Sequence, residues 1–383
     1  MTQPRSTLVS LDDTPWYHVV SRCVRRAFLC GHDAHSGRSF EHRRGWIADR
    51  LKQLASVFAV DIAAYAVMSN HFHMVVRVDE ARLERLERDE VLRRWTQLFS
   101  GPVMVQRYLA DPQRLGAAEM KIVDAWVETY RSRLADLSWF MRVLNESIAR
   151  QANAEDGVTG RFWEGRFKSQ ALLDDQAVLT AMAYVDLNPI RAGIAKTPER
   201  SDYTSIAERT ALFRAPHVNE EPTPSRSSRT KVRESTRRAK TTASEASSLP
   251  VAPRRTAPQA AESLNPEWAL EGLTSAPLLP FDATGRSEPA IPFGFEDYLE
   301  LVDATGRVVR EDKRGFIDGE TPPLLERLGI DPDQFIRTSS HMLRQFGSVI
   351  GTPARITARR DARQTRYLRG IAAARKLFPH RAA

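Results

Sequence analysis

Cysteine is scarce in this chain: among 383 residues only Cys23 and Cys30 are cysteines. That argues against a disulfide-stapled secreted module and fits a reducing compartment. A lone pair with six residues between its members is also not the spacing of a zinc site. Long apolar runs are missing too. Crossing a bilayer takes about 20 apolar residues, and the best stretch, Val57–Met68, is short and interrupted by Asp61. The opening MTQPRSTLVSLDDTPW carries no basic-then-apolar signal pattern. The expectation is a cytoplasmic protein with no membrane partner. No internal repeat is visible.

Acidic residues are fewer than basic ones, 48 against 56, for a net charge of +8. The imbalance is local. Between Ser225 and Arg255 nine basic residues face two acidic ones, an excess of seven that nearly equals the whole. A polyanionic partner is compatible with this, although charge alone does not identify one. At roughly 100–200 residues per domain, the length predicts two or three domains.

The folded reading begins at Trp16. WYHVVSRCV (Trp16–Val24) has the alternating, β-branched character of a strand. Phe40–Phe58 has helical spacing. Ile62–Met68 and His71–Val78 read as two strands linked by Ser69-Asn70, a good two-residue turn. Asp79–Phe99 and Met120–Asn153 read as charge-paired helices within an insertion, 79–153. Arg161–Leu173 reads as extended. Asp174-Asp175 open a helix that Pro189 closes, since the residue before proline avoids the helical region. This order predicts an α+β fold: a ferredoxin-like antiparallel sheet with helices on one face and a helical insertion. From residue 215 to 292 periodicity vanishes into Pro, Ser, Thr, Ala and Arg, which predicts a disordered basic linker. From 293 to 383 patterning returns as a small, mostly helical region. Tyr298–Val302 reads as a short helix or strand, and helices are expected at Pro323–Leu328, at Gln334–Phe346 and, strongly basic, at Arg359–Leu377. The last is either a DNA contact or a solvated face.

Two groups of residues carry chemistry. His71-Phe72-His73 lies in a strand, where residues two apart share a face. Two imidazoles side by side can grip one divalent cation, with Phe72 turned into the core. Taken alone, such a pair is more often a packing or surface feature. Tyr184 and Asn188 are four apart on a helix and share a face as well. Taken alone, they read as a packed tyrosine and a helix-ending asparagine.

Together they describe a phosphoryl-transfer site. Two histidines and an amide oxygen hold a metal that polarises a phosphate. A tyrosine hydroxyl then attacks phosphorus in a covalent mechanism. His71-Phe72-His73, Arg161–Lys168 (RFWEGRFK) and Tyr184–Gly193 (YVDLNPIRAG), in that order, resemble the REP-associated tyrosine transposases of the single-tyrosine HUH class. The resemblance covers about Trp16 to Ile206. It implies the ferredoxin-like HUH fold, with Tyr184 as nucleophile and His71 and His73 as metal ligands. Asn188 stands where the class has its third ligand, often Gln. It also implies Mg²⁺ or Mn²⁺ as cofactor, single-stranded DNA hairpins of extragenic palindromes as substrate, and a monomer or homodimer. Asp303–Arg307, Asp312–Gly315 and Leu328–Ile330 resemble the tail of longer relatives.

Arg161, Arg166 and Lys168 can neutralise phosphates. Phe162, Trp163 and Phe167 can stack on bases or fill the core, and the core is favoured for Phe167. The predicted DNA-binding set is Arg161, Trp163, Arg166, Lys168 and Arg191. Tyr17, Tyr65, Tyr130 and Tyr203 read as structural. Two alternatives stand beside the nuclease: a non-catalytic nucleic-acid-binding regulator on the same fold, and a rolling-circle replication initiator or relaxase.

Overall fold

The computed structural model describes residues 8–24, 29–33, 37–214, 264–265, 270–287, 289–308, 330–339 and 342–379. The basic stretch Ser225–Arg255 lies outside them, as does most of the expected linker. Pro323–Leu328 and the Asp312–Gly315 segment lie outside them as well.

Five strands form one sheet: β1 (Trp16–Arg22), β2 (Val60–Val67), β3 (His71–Val78), β4 (Lys168–Leu172) and β5 (Val349–Ile350). Their order is β2-β3-β1-β4-β5. The first four pair antiparallel, with β1 between β3 and β4. The fold is α+β as expected, but the sheet is mixed, because β5 joins β4 in parallel. Two residues are too few to show an alternating pattern, so sequence reading had no means to find β5. Ser69-Asn70 links β2 to β3 as predicted, and Met68 N–H donates to His71 O across the turn at 2.8 Å.

The register sorts the side chains. Arg22 pairs with His71, Val20 with both His73 and Lys168, and His18 with both Val75 and Gln170. Cross-strand partners share a face, so His18, His71, His73, Lys168 and Gln170 all belong to one side. Phe72, Ser21 and Tyr17 belong to the other.

That other side is covered by helices α1 (Arg43–Val57) and α2 (Leu137–Asp156). Asn145 of α2 donates to Ser21 Oγ at 3.0 Å. The expectation of helices on one face was too narrow. Helix α3 (Asp175–Asp186) covers the histidine side, packing on β2, β3 and β4. The reason is compositional. From Ala177 to Ala183 α3 is apolar on every side apart from Thr180, and it is buried throughout. A helix of this kind must be sandwiched. The sheet lies beneath it, and helices Phe295–Val308 and Pro332–Ser339 contact it from the C-terminal region. Asp174 caps α3, accepting from Ala177 N–H at 2.9 Å, a contact worth about 1 kcal/mol.

Several predicted helices divide. Met120–Asn153 becomes Ala117–Leu134 and α2, because Asp136 caps the latter by accepting from Ser138 N–H at 2.6 Å. Asp79–Phe99 becomes Glu80–Glu84 and Arg88–Leu98, and Gln334–Phe346 becomes Pro332–Ser339 and Met342–Phe346. The basic segment Arg359–Leu377 falls into Pro353–Ala362 and Ile371–Leu377. Gln364 and Gly370, both at positive φ, separate the two. Two of its arginines, Arg359 and Arg363, hold Asp13 at 3.0 and 2.5 Å.

Described residues within the expected linker are anchored to the rest of the fold. Asn265 N–H donates to Leu98 O, and Leu279 N–H to Ile62 O on the β2 edge, both at 2.8 Å. Pairing along that edge also comes from Ser205, whose Oγ accepts from Tyr65 N–H at 2.9 Å. An edge covered in this way is closed to unwanted strand addition.

Candidate active site

Between residues 177 and 190 every side chain is buried except two, Tyr184 and Asn188, which are half-buried. Helix α3 stops at Asp186, and Asn188–Arg191 forms a short second turn with Pro189 near its start. The four-residue spacing therefore keeps Tyr184 and Asn188 on one side. The same turn brings Arg191 back over the tyrosine, with its guanidinium carbon 5.3 Å from the ring centre.

Beneath Tyr184 lie imidazoles. Its ring meets His73 edge to face at 5.4 Å and His18 at 5.6 Å. His71 contacts His73 at 4.7 Å between ring centres. The sequence-predicted nucleophile and both predicted ligands thus meet on one face of the sheet. His18 was not anticipated. It sits in β1, far from the HxH pair in the chain, and only the β1–β3 register reveals it. Gln170 was missed for the same reason.

Burial sets the protonation of the cluster. His71 and His18 are each lowered to about 4, chiefly because an imidazolium would be desolvated there; Arg22 adds to the effect at His71. His73 falls well below its ordinary value for the same reason, reinforced by His71 and His18. All three are neutral at neutral pH, which is the form that donates a lone pair to a metal. His71 Nδ1 lies 2.5 Å from the Asn70 side-chain oxygen, so the proton sits on Nδ1 and the lone pair on Nε2. His73 Nε2 is buried without a hydrogen-bond partner among the described residues. Among the described residues no group of three or more His, Cys, Asp and Glu side chains is placed to hold a metal. The donor set implied by the sequence is instead two imidazoles and an amide, and the neutral rings with their unused nitrogen fit it.

Burial pushes the Tyr184 phenol above its ordinary value, while Arg191, Asn188 and Arg22 pull it back. The Asn188 amide adjoins the hydroxyl, although its Nδ2 stops short of regular hydrogen-bond geometry. Arg191 is itself lowered to about 10 by burial, and remains a cation at neutral pH.

The predicted DNA-binding residues separate into three groups. Arg161, Arg166 and Lys168 are exposed, and Lys168 lies in the same cross-strand row as His73. Arg191 faces Tyr184. Trp163 is not available to stack on a base. It is buried, its indole N–H donates to Asn145 O at 2.7 Å, and its ring packs edge-on against Phe72 and Phe162. Phe162 and Phe167 are buried as well. An aromatic next to an arginine in sequence carries no sign of which way it turns.

No family model matches the chain, and no curated protein matches it. Among solved structures, a REP-associated tyrosine transposase bound to a REP hairpin is similar at 13% identity and a TM-score of 0.33. The likeness covers 56% of this chain and 89% of that one. It is a distant structural relationship, and a TM-score this low says nothing of what the present chain binds. Among the described residues no helix is long and apolar enough to cross a membrane.

Proposed function

We propose that this chain is a single-strand DNA endonuclease and strand transferase of the single-tyrosine transposase type, acting on palindromic hairpins. The observation that carries the reading is Tyr184, half-buried on the otherwise buried end of α3, with its ring edge-on over the neutral His73 and His18 and with Asn188 in the turn that follows. Four antiparallel strands, with a crossover helix after the first and a tight link between the second and third, support a ferredoxin-like HUH scaffold.

Tyr184 supplies the nucleophile. Its Oη bonds to phosphorus as the bond to the 3′-oxygen breaks. The phenol proton is released and the departing oxygen takes one up, leaving a 5′-phosphotyrosine and a free 3′-hydroxyl. The reverse attack reseals the strand without an external energy source. Arg191 stabilises the forming phenolate, and Arg161, Arg166 and Lys168 hold the strand's phosphates. A divalent cation, Mg²⁺ or Mn²⁺, would be held by His71, His73 and the Asn188 oxygen, and when bound it supplies Lewis-acid polarisation of a phosphate.

The test is a nicking assay on single-stranded hairpin and duplex DNA with Mg²⁺ or Mn²⁺. The wild type is expected to nick the hairpin and to form a denaturation-resistant adduct. Tyr184→Phe is expected to bind and do neither, and chelator is expected to stop the reaction. Adduct formation by Tyr184→Phe removes Tyr184 from its role. Binding with no nicking by the wild type leaves the non-catalytic regulator.

A further inference from the structure

An unbroken chain of hydrogen bonds runs from the C-terminal region to His73. Gln170 donates through Nε2 to the backbone oxygen of Gly347 at 2.5 Å. That donation orients the amide, so Oε1 is the atom that meets His18 Nδ1 at 2.8 Å. A carbonyl oxygen only accepts, so His18 carries its proton on Nδ1. His18 Nε2 is then an acceptor, and it lies 3.0 Å from His73 Nδ1. His73 must therefore donate from Nδ1. Its remaining nitrogen, Nε2, is buried and has no hydrogen-bond partner among the described residues. Both rings and the Gln170 side chain are within 1% of complete burial, so water does not compete for these bonds.

We propose that His18 and Gln170 are positioning residues that lock His73 in the Nδ1–H tautomer and so keep its Nε2 lone pair available to the site. The inference rests on the proposed nuclease reading for its purpose, but its physical content concerns one proton. The alternative tautomer would place N–H on Nε2, where it could not ligate a cation, and would set two bare nitrogens, His73 Nδ1 and His18 Nε2, against each other. Ligating histidines are commonly oriented through their second nitrogen, and losing that partner typically costs about 10–100-fold in affinity or activity. Here the orienting group is another histidine, and the chain ends on a backbone carbonyl from beyond residue 340. Gly347 suits this end of the relay. Its φ is +73°, and an added Cβ would meet Arg369 at 3.1 Å.

The test is ¹⁵N NMR of the full chain labelled at histidine, recorded without metal or DNA, with His73 assigned by the signal lost in His73→Gln. The wild type is expected to show His73 protonated at Nδ1 and bare at Nε2. His18→Phe, which removes the acceptor, is expected to mix the tautomers or move the proton to Nε2. His18→Gln retains an acceptor towards His73 and a donor towards Gln170, and is expected to restore the wild-type pattern. In the nicking assay His18→Phe should be slower by about 10–100-fold, with His18→Gln recovering most of the loss. A wild-type His73 carrying its proton on Nε2 overturns the proposal. So does a folded His18→Phe with an unchanged tautomer. Should His18→Phe fail to fold, Gln170→Met, which deletes the Oε1 acceptor, is read in the same way. A wild type that shows the expected tautomer and never nicks DNA would sink the proposed reaction while leaving the relay standing.

Discussion

The rings of His73 and Tyr184 meet edge to face at 5.4 Å, their planes 83° apart. A sheet residue and a helix residue far apart in the chain are thus brought to one point. Had the tyrosine projected from the opposite side of the sheet, no covalent chemistry could be built on it. The contact also explains why the phenol is hard to ionise: the ring is pressed onto buried, neutral imidazoles and away from water.

Arg191 offsets part of that burden, since a cation beside the ring favours the phenolate. Arg191→Met should raise the Tyr184 pKa further. The rate of nicking at neutral pH is expected to fall, and the rising limb of the pH–rate profile to move to higher pH. An unmoved profile would detach Arg191 from the nucleophile.

Lys168 is exposed at the start of β4, in the row that holds Val20 and His73. If the strand's phosphates cross that row, Lys168→Ala should weaken binding evenly across sequences. The slope of log affinity against log salt should become shallower by about 0.7, the single-strand value for one contact. Equal slopes for the two proteins would place the strand elsewhere.

Trp163 behaves as core. Trp163→Phe keeps an aromatic ring but deletes the pyrrole part of the indole with the N–H that Asn145 O accepts. The expected cost is about 1–2 kcal/mol in denaturant unfolding, the range for a lost buried hydrogen bond, with hairpin affinity unchanged. A selective loss of affinity with full stability would reinstate it as a base-stacking residue.

Asp186, the last residue of α3, is fully buried, accepting from Ser205 Oγ and Tyr298 Oη at 2.5 Å and from Ile206 N–H at 3.1 Å. Desolvation raises its pKa to about 6, against these hydrogen bonds. Between the unfolded value near 4 and the folded value, the native state holds more protons than the unfolded one. The contribution of Asp186 to stability is therefore full below pH 4 and declines as pH rises to 6, by about 3 kcal/mol at most. Asp186→Asn should erase that decline, so mutant stability minus wild-type stability should rise from pH 4 to 6 and then level off. A constant difference would show that Asp186 does not titrate there.

The sequence was most informative where pattern is local. The alternation in His71–Val78 marks that strand with its bounds, and Asp174 opens the helix of Tyr184 as expected, but that helix stops at Asp186 and Pro189 lies inside the short turn that follows instead of ending the helix. Periodicity puts His71 with His73 on one face of a strand and Tyr184 with Asn188 on one side of a helical stretch; that the two pairs belong to one site is implied by the resemblance alone. Periodicity does not reveal His18 and Gln170, because what makes them part of the site is cross-strand register, set by pairing between distant segments. Trp163 shows the complementary difficulty. Its neighbours Arg161 and Arg166 are exposed, and nothing in RFWEGRFK tells which aromatic turns inward. The second helical layer was hidden because its outer cover, Phe295–Val308 and Pro332–Ser339, lies beyond a long stretch without periodicity.

The parallel seam between β4 and β5 has a consequence for how the protein comes into being. Strand β4, which carries Gln170, is made long before the segment that pairs with it, so a ribosome moving at about 5–20 residues per second leaves that flank bare for roughly ten to thirty seconds. During this interval the carbonyl of Gly347 has not yet been synthesised, and the histidine relay has no fixed end. A chain truncated before residue 347 would keep Tyr184, His18 and His73 but would lack the carbonyl on which the proposed relay ends.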